Sequence, residues 1–531
     1  MSKTQARQFG SQIAAMRPRQ IGALALFYPI LEELRVQQVV HGLVPSAADV
    51  DLGRIVTLLV LNRLMTPQPL YHVGEWFSDT VLPEVLEVPA AKKVYDNRLG
   101  RALDRLYPYW GELWAQVVSR AVQVYALDLS ALHWDITSLY FEGAYTNSEL
   151  VTYGYSRDHR PDCKQINLET DVTHDGYVPV LYQSLAGNTA DIRRPEHHLQ
   201  HLLQFLHRPE LADQHLRSIL VSDCKMVTPE AVLACNQHGL FYLGPLPNGT
   251  ATTAVLRSVP AAELAAHPLT YRPQRFKADD PRFVPYQGVW RPFILEAEGG
   301  TCSDRALVVW SAGKQRLDER KRKTYLKRLL NKLADIQAKL NTRRYRKRSY
   351  VEQRLVSVQR GNPAKALVDI QLEGEDDALC LTFRINRVQL ARVQALEGRY
   401  ALATNADHLD ANAALTLFKG QDGVEKRFRD AKGPLQVRPL FVRSDERIEG
   451  LVAITLLALL VRAILERACR QRAMAVTTER LMRIFASLQV VDVTWADGSQ
   501  QRQLATIAPQ QIQILAALEW PLPEQYAVIA P

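Results

Sequence analysis

The chain has 531 residues, 47% of them hydrophobic, and 65 Lys and Arg against 56 Asp and Glu, for a formal charge of +9. That length exceeds what one hydrophobic core serves and points to about three or four domains, while the basic balance favours a polyanionic partner. The six cysteines are scattered without CxxC spacing, which excludes a disulfide framework and a structural zinc site, and the polar start MSKTQARQFGSQ lacks the apolar run of a signal peptide.

Residues 19–120 read as helical. RQIGALALFYPILEELR and AADVDLGRIVTLLVLNRLM carry apolar residues at spacings of three and four, with Ser46 as the expected N-cap of the second, and shorter helices are expected in LYHVGEWF, NRLGRALDRLY and from Trp110 onward. A small bundle with helix-turn-helix character fits this pattern. From about residue 121 the period changes. YALDLSALHWDITSLYFEG and KQINLETDVTHDGYVPVLYQSL alternate apolar and polar residues around a His174-Asp175-Gly176 turn, as a strand and a hairpin do. HHLQHLLQFLHR then reads as a helix, SILVSD as a buried strand, TPEAVLACNQHG as a helix capped by Thr228 and ended by Gly239, and LFYLGPL as a further strand.

Between residues 246 and 395, strand-like runs such as RFVPYQGVWRPFIL, ALVVWSAG and ALCLTFRI suggest a β-rich insertion, with Trp290 and Trp310 read as packing residues. Within it, residues 314–348 hold fifteen Lys or Arg and three acids, while Leu326, Leu330, Leu333, Ile336 and Leu340 form an apolar stripe at helical spacing. The stripe is expected to pack and the cations, Lys327, Arg328, Arg343 and Arg344 among them, to face outward toward phosphates. A helix follows in VEKRFRDAK, then a long one from Glu446 to about Arg472, whose greasy window is interrupted by Arg462 and reads as a buried core helix rather than a membrane span. A helix, a hairpin with an Asp-Gly turn and a closing helix end the chain.

Three carboxylates stand out. Asp135 and Asp223 sit in or at the end of apolar, β-prone runs, where Asp is depleted and its burial costly. Glu425 precedes Arg429 by one turn and Lys432 by almost two, which puts a carboxylate and two cations near one face of a helix. Hard oxygen donors from three distant segments suit Mg²⁺ or Mn²⁺, and a pair of such ions activates both the attacking and the leaving oxygen of a phosphodiester.

These residues resemble the DDE transposases of bacterial insertion sequences, in the subgroup whose signature is Tyr, two residues, Arg, three residues, Glu, six residues, Lys. Glu425 and Lys432 keep that spacing; Phe418 and Gln421 stand where Tyr and Arg are expected, with Lys419 and Arg429 as nearby cations. LAGNTAD, RYALATNAD and VRPLFVRSDERIEGLVAITLLALLV extend the resemblance over about residues 20–520.

The resemblance implies an α/β fold, a ribonuclease H-like mixed sheet with flanking helices in the order βββαβαβ, interrupted by a β-rich plus helical insertion and preceded by an α-helical domain. The implied domains are 1–120, a helical DNA-binding type; 121–245, the first part of the catalytic core; 246–395, the insertion; 396–475, the second part of the core; and 476–531, a cap. Asp135, Asp223 and Glu425 would be the catalytic residues and would hold two divalent ions. Lys432, with Arg429 and Lys225 as further cations, would contact DNA. The implied function is cleavage at terminal inverted repeats and strand transfer into double-stranded target DNA, by a homodimer or higher oligomer in the cytoplasm, with no membrane. A ribonuclease H-like nuclease without strand transfer, and an inactive transposon-derived DNA-binding protein, are the alternatives.

Overall fold

The computed structural model describes residues 13–46, 48–88, 93–189, 194–212, 218–223, 226–273, 276–277, 280–298, 300–436 and 442–527. The chain divides into two compact units, residues 1–223 with 419–531, and residues 224–418. Among the described residues, strand β1 (Ile13–Gln20) comes first, then seven α-helices: α1 (Leu24–Glu33), α2 (Val36–Leu43), α3 (Leu52–Met65), α4 (Leu70–Ser78), α5 (Leu82–Val85), α6 (Asp96–Leu106) and α7 (Trp110–Tyr125). The cap of α3 is Asp51, whose carboxylate accepts from Gly53 N at 2.7 Å. The expected cap, Ser46, bonds Ala48 N in the preceding turn instead. A carboxylate placed immediately before the apolar run wins the cap.

Next come β2 (Ala131–Phe141), β3 (Lys164–Thr173), β4 (Pro179–Ala186), α8 (Arg194–Leu206) and β5 (Ile219–Ser222). The second unit adds α9 (Pro229–Gln237), β6 (Phe241–Pro245), α10 (Thr250–Arg257), α11 (Ala261–Ala265), β7 (Gln287–Ala297), β8 (Gly300–Trp310), α12 (Ala312–Lys339), α13 (Arg348–Gln359), β9 (Val368–Glu373), β10 (Cys380–Ile385), α14 (Arg387–Gln394), β11 (Arg399–Thr404) and α15 (Ala411–Lys419). The chain then returns to the first unit with α16 (Asp422–Lys432), α17 (Asp445–Gln471), α18 (Thr478–Phe485), β12 (Gln489–Trp495), β13 (Gln500–Leu504) and α19 (Pro509–Leu518).

In the first unit, α17 is the central element. It packs against α1, α3, α6, α7 and β4, and its residues from Ile448 to Cys469 are buried almost without interruption. By length and composition it could cross a membrane, yet 94% of its most apolar window lies inside the protein, as in a core helix. Strand β1, which no periodicity in the sequence announces, pairs antiparallel with β12, so the two distant ends of the unit close a three-stranded sheet in the order β1-β12-β13.

The larger sheet of this unit runs β4-β3-β2-β5. β2, β3 and β4 are antiparallel neighbours and β5 joins β2 in parallel, so the sheet is mixed. Because side chains alternate across a strand, Trp134 and its partner Asp171 face one side while Asp135 and its partner Thr170 face the other.

On the Trp134 side, His198 of α8 is fully buried between Glu169 Oε1 (2.9 Å) and Asp171 Oδ1 (3.1 Å) and stacks on the Trp134 indole at 4.5 Å. Burial alone would lower the imidazolium pKa, but Asp171 and Glu169 outweigh it and raise it from 6.5 to about 9. A raised imidazolium contributes stability that is complete below pH 6.5 and lost as pH climbs through about 9. The urea unfolding midpoint is therefore expected to fall between pH 6.5 and 9. In His198→Gln it should start lower and stay level across that window. An equally steep decline in the variant would assign the loss to other groups.

The second unit combines strands with helices. Strands β6-β11-β8-β7 form an antiparallel sheet and β9-β10 a separate hairpin, and two long helices lie between them. Trp290 lies under the Arg305 guanidinium, 4.1 Å from its ring centroid, and Trp310 packs on the cluster around Val289 and Val308. The basic segment is also not one helix. α12 ends at Lys339, a short 3-10 turn spans Arg343–Arg346, and α13 starts at Arg348. Asn341 and Arg343 both have positive φ there, which no α-helix tolerates. The buried stripe of α12 is Leu326, Leu329, Leu333 and Ile336, packed on Val351, Leu355 and Leu381; Leu330 and Leu340 are only partly buried.

Candidate active site

The parallel register of β2 and β5 builds the site. Its last paired residues are Trp134 and Ser222, so Asp135 and Asp223 each lie one residue beyond that pair, on adjacent strands roughly 4.8 Å apart and on the same face. Asp135 is half-buried and accepts from Ile136 N at 2.7 Å, while Asp223 is exposed. Glu425 is exposed on α16, which packs on β2.

Electrostatics tie the three together. Desolvation first, then the charge of Asp223, and more weakly that of Glu425, raise the Asp135 carboxyl to about 7, against a partial opposing pull from Arg157. Among the described residues no three His, Cys, Asp or Glu side chains close into a ready-made metal cage. Asp135 and Asp223 lie side by side, and Glu425 acts on Asp135 from α16 through its charge. Their donor set, oxygen only, is the one a hard divalent cation takes.

The docking of α16 is specified residue by residue. Gln421, buried at its N-terminus, donates to Trp134 O at 2.8 Å and meets His133 Nδ1 at 3.1 Å, and His133 Nε2 meets His174 Nδ1 at 2.9 Å. Burial lowers the His133 pKa to about 4, which keeps this ring pair a neutral hydrogen-bonded chain near pH 7. Gln421 is thus a strut that reads the backbone beside Asp135 rather than a lost cation, and a guanidinium would have to enter a closed amide slot. Gly420 and Gly423 permit the approach, because a Cβ on Gly423 would lie 2.1 Å from the Tyr177 ring.

Deeper in, Arg427 is completely buried. It donates to Tyr177 O (2.7 Å) and Gly176 O (2.9 Å) and pairs with Glu466 (2.9 Å) and Asp430 (3.1 Å), which clamps α16 to the β3–β4 turn and to α17. At the far end, Lys432 Nζ lies 2.8 Å from Thr137 Oγ1, two residues along β2 from Asp135, and 2.9 Å from Asp158 Oδ1. Arg429 is exposed one turn after Glu425.

Asp135 and Asp223 therefore lie at neighbouring strand positions, α16 brings Glu425 and Lys432 against β2, and Arg429 follows Glu425 by one turn. Lys225 lies outside the described residues. Lys327, Arg328, Arg343 and Arg344 belong to the second unit and are all exposed. Sequence reasoning gave Gln421 no role of its own and missed Arg157, Asp158 and Thr137. The pair of glycines in KGQDGVEKRF was the available signal for Gln421, since two glycines at a helix start mark close backbone approach.

Residues 16–118, β1 through most of α7, match the family described as domain of unknown function DUF4277. None of the curated proteins matches the chain. Among solved structures, the chain is similar to a piggyBac transposase synaptic complex with hairpin DNA, at 9% identity and a TM-score of 0.38 over 89% of this chain and 82% of that one. It is also similar to a Mos1 transposase paired-end complex with the left transposon end, at 14% identity and a TM-score of 0.16 over 38% of this chain and 60% of that one. At these identities and scores the likeness is too slight to carry function across.

Proposed function

We propose that the chain is a transposase-type enzyme that cuts DNA at the terminal inverted repeats of its own element and joins the freed 3′ ends to target DNA. The supporting observation is the carboxylate cluster: Asp135 and Asp223 set side by side by strand register, with Glu425 added from a helix whose docking is fixed at four points. In this reading β2 to β5 with α8 and α16 form a ribonuclease H-like core, interrupted by the second unit. Asp135, Asp223 and Glu425 would hold two Mg²⁺ or Mn²⁺ ions, which would supply Lewis-acid stabilisation of the phosphodiester under attack. Arg429 offers its guanidinium to a phosphate, and Lys432 ties Glu425's helix to the Asp135 strand. In the joining step a 3′-hydroxyl attacks a target phosphodiester, a new P–O bond forms as the P–O3′ bond breaks, and the proton goes to solvent. The protein acts in the cytoplasm on the nucleoid, as a dimer or larger assembly on DNA.

The test is incubation of the purified chain with DNA carrying the inverted repeats that flank its gene, in Mg²⁺ and in EDTA. Nicks leaving 3′-hydroxyls at the repeats, and joined products, are expected in Mg²⁺ alone. Cleavage without joining would indicate a plain nuclease, and binding without cleavage an inactive DNA-binding protein.

The second unit supplies a phosphate-binding face in this reading. Opposite its buried stripe, α12 carries Arg320, Lys321, Lys327, Arg328 and Lys332, all exposed and none ion-paired among the described residues. Its acids Asp318, Glu319 and Asp335 are each taken by a cation on the same helix. Replacing the five cations by Gln is expected to weaken cognate and unrelated duplexes alike. The slope of log K against log[salt] should flatten by ~0.9 for each phosphate that the variant no longer neutralises. Weakening confined to cognate DNA would instead mean base reading.

A further inference from the structure

A recess of about 490 Å³ in the first unit opens between α7, β4, the end of α8 and α17. Most of its rings come from one stretch of sequence. Tyr107 lies in the 3-10 turn Tyr107–Tyr109 that leads into α7, and Trp110 and Trp114 follow at spacings of three and four, so the three fall on one side of the helix start. Tyr182 of β4 meets the Trp114 ring edge-on at 4.8 Å. Trp114 Nε1 donates to Val180 O at 3.1 Å, which fixes that indole, whereas Trp110 Nε1 is buried without a hydrogen-bond partner among the described residues.

The uncompensated charge in the recess is negative. Glu449 of α17 lines it, half-buried, with no hydrogen bond or ion pair among the described residues. Neighbouring cations are committed elsewhere. Arg208, which also lines the recess, forks onto Glu112 (2.8 and 2.9 Å) and reaches Glu210 (3.2 Å), and Arg447, on the same helix as Glu449, forks onto Asp104 (2.8 and 2.7 Å). Burial first, then the charges of Asp445 and Glu446, push the Glu449 carboxyl above its usual range. The charge of Glu449 is in turn the largest influence raising the Tyr107 phenol, so carboxylate and ring are neighbours. A carboxylate partly out of water and without a counter-ion is costly, and a cation placed beside it removes that cost.

We infer that this recess binds an organic cation, an ammonium or guanidinium group held among the Tyr107, Trp110 and Trp114 rings with Glu449 as its counter-ion. Ring faces attract such groups, and the attraction strengthens where water is excluded. A phosphate would meet the charges of Glu449, Glu446 and Asp445 and be repelled. One carboxylate among rings offers too few oxygens for a divalent metal. The volume falls within the roughly 300–1,000 Å³ of small-molecule sites, and the same chemistry is presented by a free amine or by the Lys or Arg of a polypeptide. No member of the carboxylate triad takes part, so the site stands whether or not the chain cuts DNA.

The experiment is calorimetric titration of the full chain at pH 8 without divalent metal. The probes are benzyltrimethylammonium and benzylguanidinium, with benzyl alcohol and benzoate as neutral and anionic controls and acetyl-Gly-Arg-Gly-amide as the polypeptide form. The cations should bind, and the two controls should be weaker by about tenfold or more. Glu449→Gln should weaken the cations by a similar factor and Tyr107→Leu severalfold, while Tyr107→Phe should keep wild-type affinity, because the ring and not the hydroxyl is used. Since Glu449 has no bond to lose, Glu449→Gln should unfold at the wild-type temperature or above it. Binding of neither cation, equal affinity for benzyl alcohol, or undiminished cation binding in Glu449→Gln overturns the inference. A lowered unfolding temperature in that variant also overturns it, since Glu449 would then serve a structural bond. With the cations bound, a tripeptide as tight as benzylguanidinium identifies a polypeptide side chain as the source, and exclusion of the tripeptide identifies a free small molecule.

Discussion

Asp135→Asn, Asp223→Asn and Glu425→Gln are each expected to lower metal-dependent cleavage of end DNA by roughly a thousandfold, the scale on which a preorganised electrostatic group acts, while DNA binding stays close to wild type. Each change removes a negative charge and keeps the shape. The surface that would grip DNA is a different set of residues, the exposed cations of α12 and Arg429. The expected pattern is thus a split between catalysis and affinity, read by single-turnover cleavage and by gel shift on the same preparations. Cleavage at a near wild-type rate in any one variant would remove that residue from the site. Asp223→Asn carries a further check. Because Asp223 is the main charge acting on Asp135, its loss should bring the Asp135 carboxyl down toward the ordinary range, which NMR titration can follow.

Arg427→Ala should be the most destabilising single change in the glutamate helix. Arg427 has no exposure and four partners, and its removal leaves Glu466 and Asp430 buried beside Arg462 with one cation fewer. Burial would raise the Glu466 carboxyl, but Arg427, Lys426 and Arg462 outweigh it and hold it down at about 2. Breaking such a buried pair from one side costs about 3–5 kcal/mol, because the remaining charge is stranded. Urea unfolding should show that loss near neutral pH. A depressed carboxylate contributes stability above its unfolded pKa of 4.5 that is lost as pH falls through about 2. The gap between wild type and Arg427→Ala should therefore narrow below pH 4.5. Arg427→Ala with Glu466→Gln should recover part of the loss, whereas no recovery would mean that the bonds to Tyr177 O and Gly176 O dominate.

Much of this architecture was legible because its signals are local. The alternation in ALHWDITSLYF, the Thr228 cap, the His-Asp-Gly turn and the apolar run ahead of Arg462 each declare an element without reference to the rest of the chain, and each stands where the periodicity put it. The carboxylates could be picked out for a similar reason, since Asp in or at the end of an apolar β run is conspicuous. What stayed hidden depends on distant partners. β1 is a strand only because β12 pairs with it, and IAAMRPRQ has no alternation of its own to announce that. Gln421 looked like a defect in a motif until its amide met Trp134 O on a strand 287 positions away. The end of α12 was missed because a run of Lys and Arg has good helix propensity, which says nothing about the positive φ at Asn341 and Arg343.

The placement of α17 bears on when this fold can exist at all. Helices α1, α3, α6 and α7 are made first during synthesis, yet the surface they bury against is a helix that starts at Asp445. Glu425 likewise reaches the Asp135 strand only after the second unit has been made. Until then the early helices must wait with apolar faces uncovered, and pairings this far apart in sequence form slowly. A nascent or truncated chain therefore lacks both its core and its third carboxylate. If the proposed activity is the true one, cutting would be withheld until nearly the whole chain has left the ribosome, a safeguard written into the order of the elements.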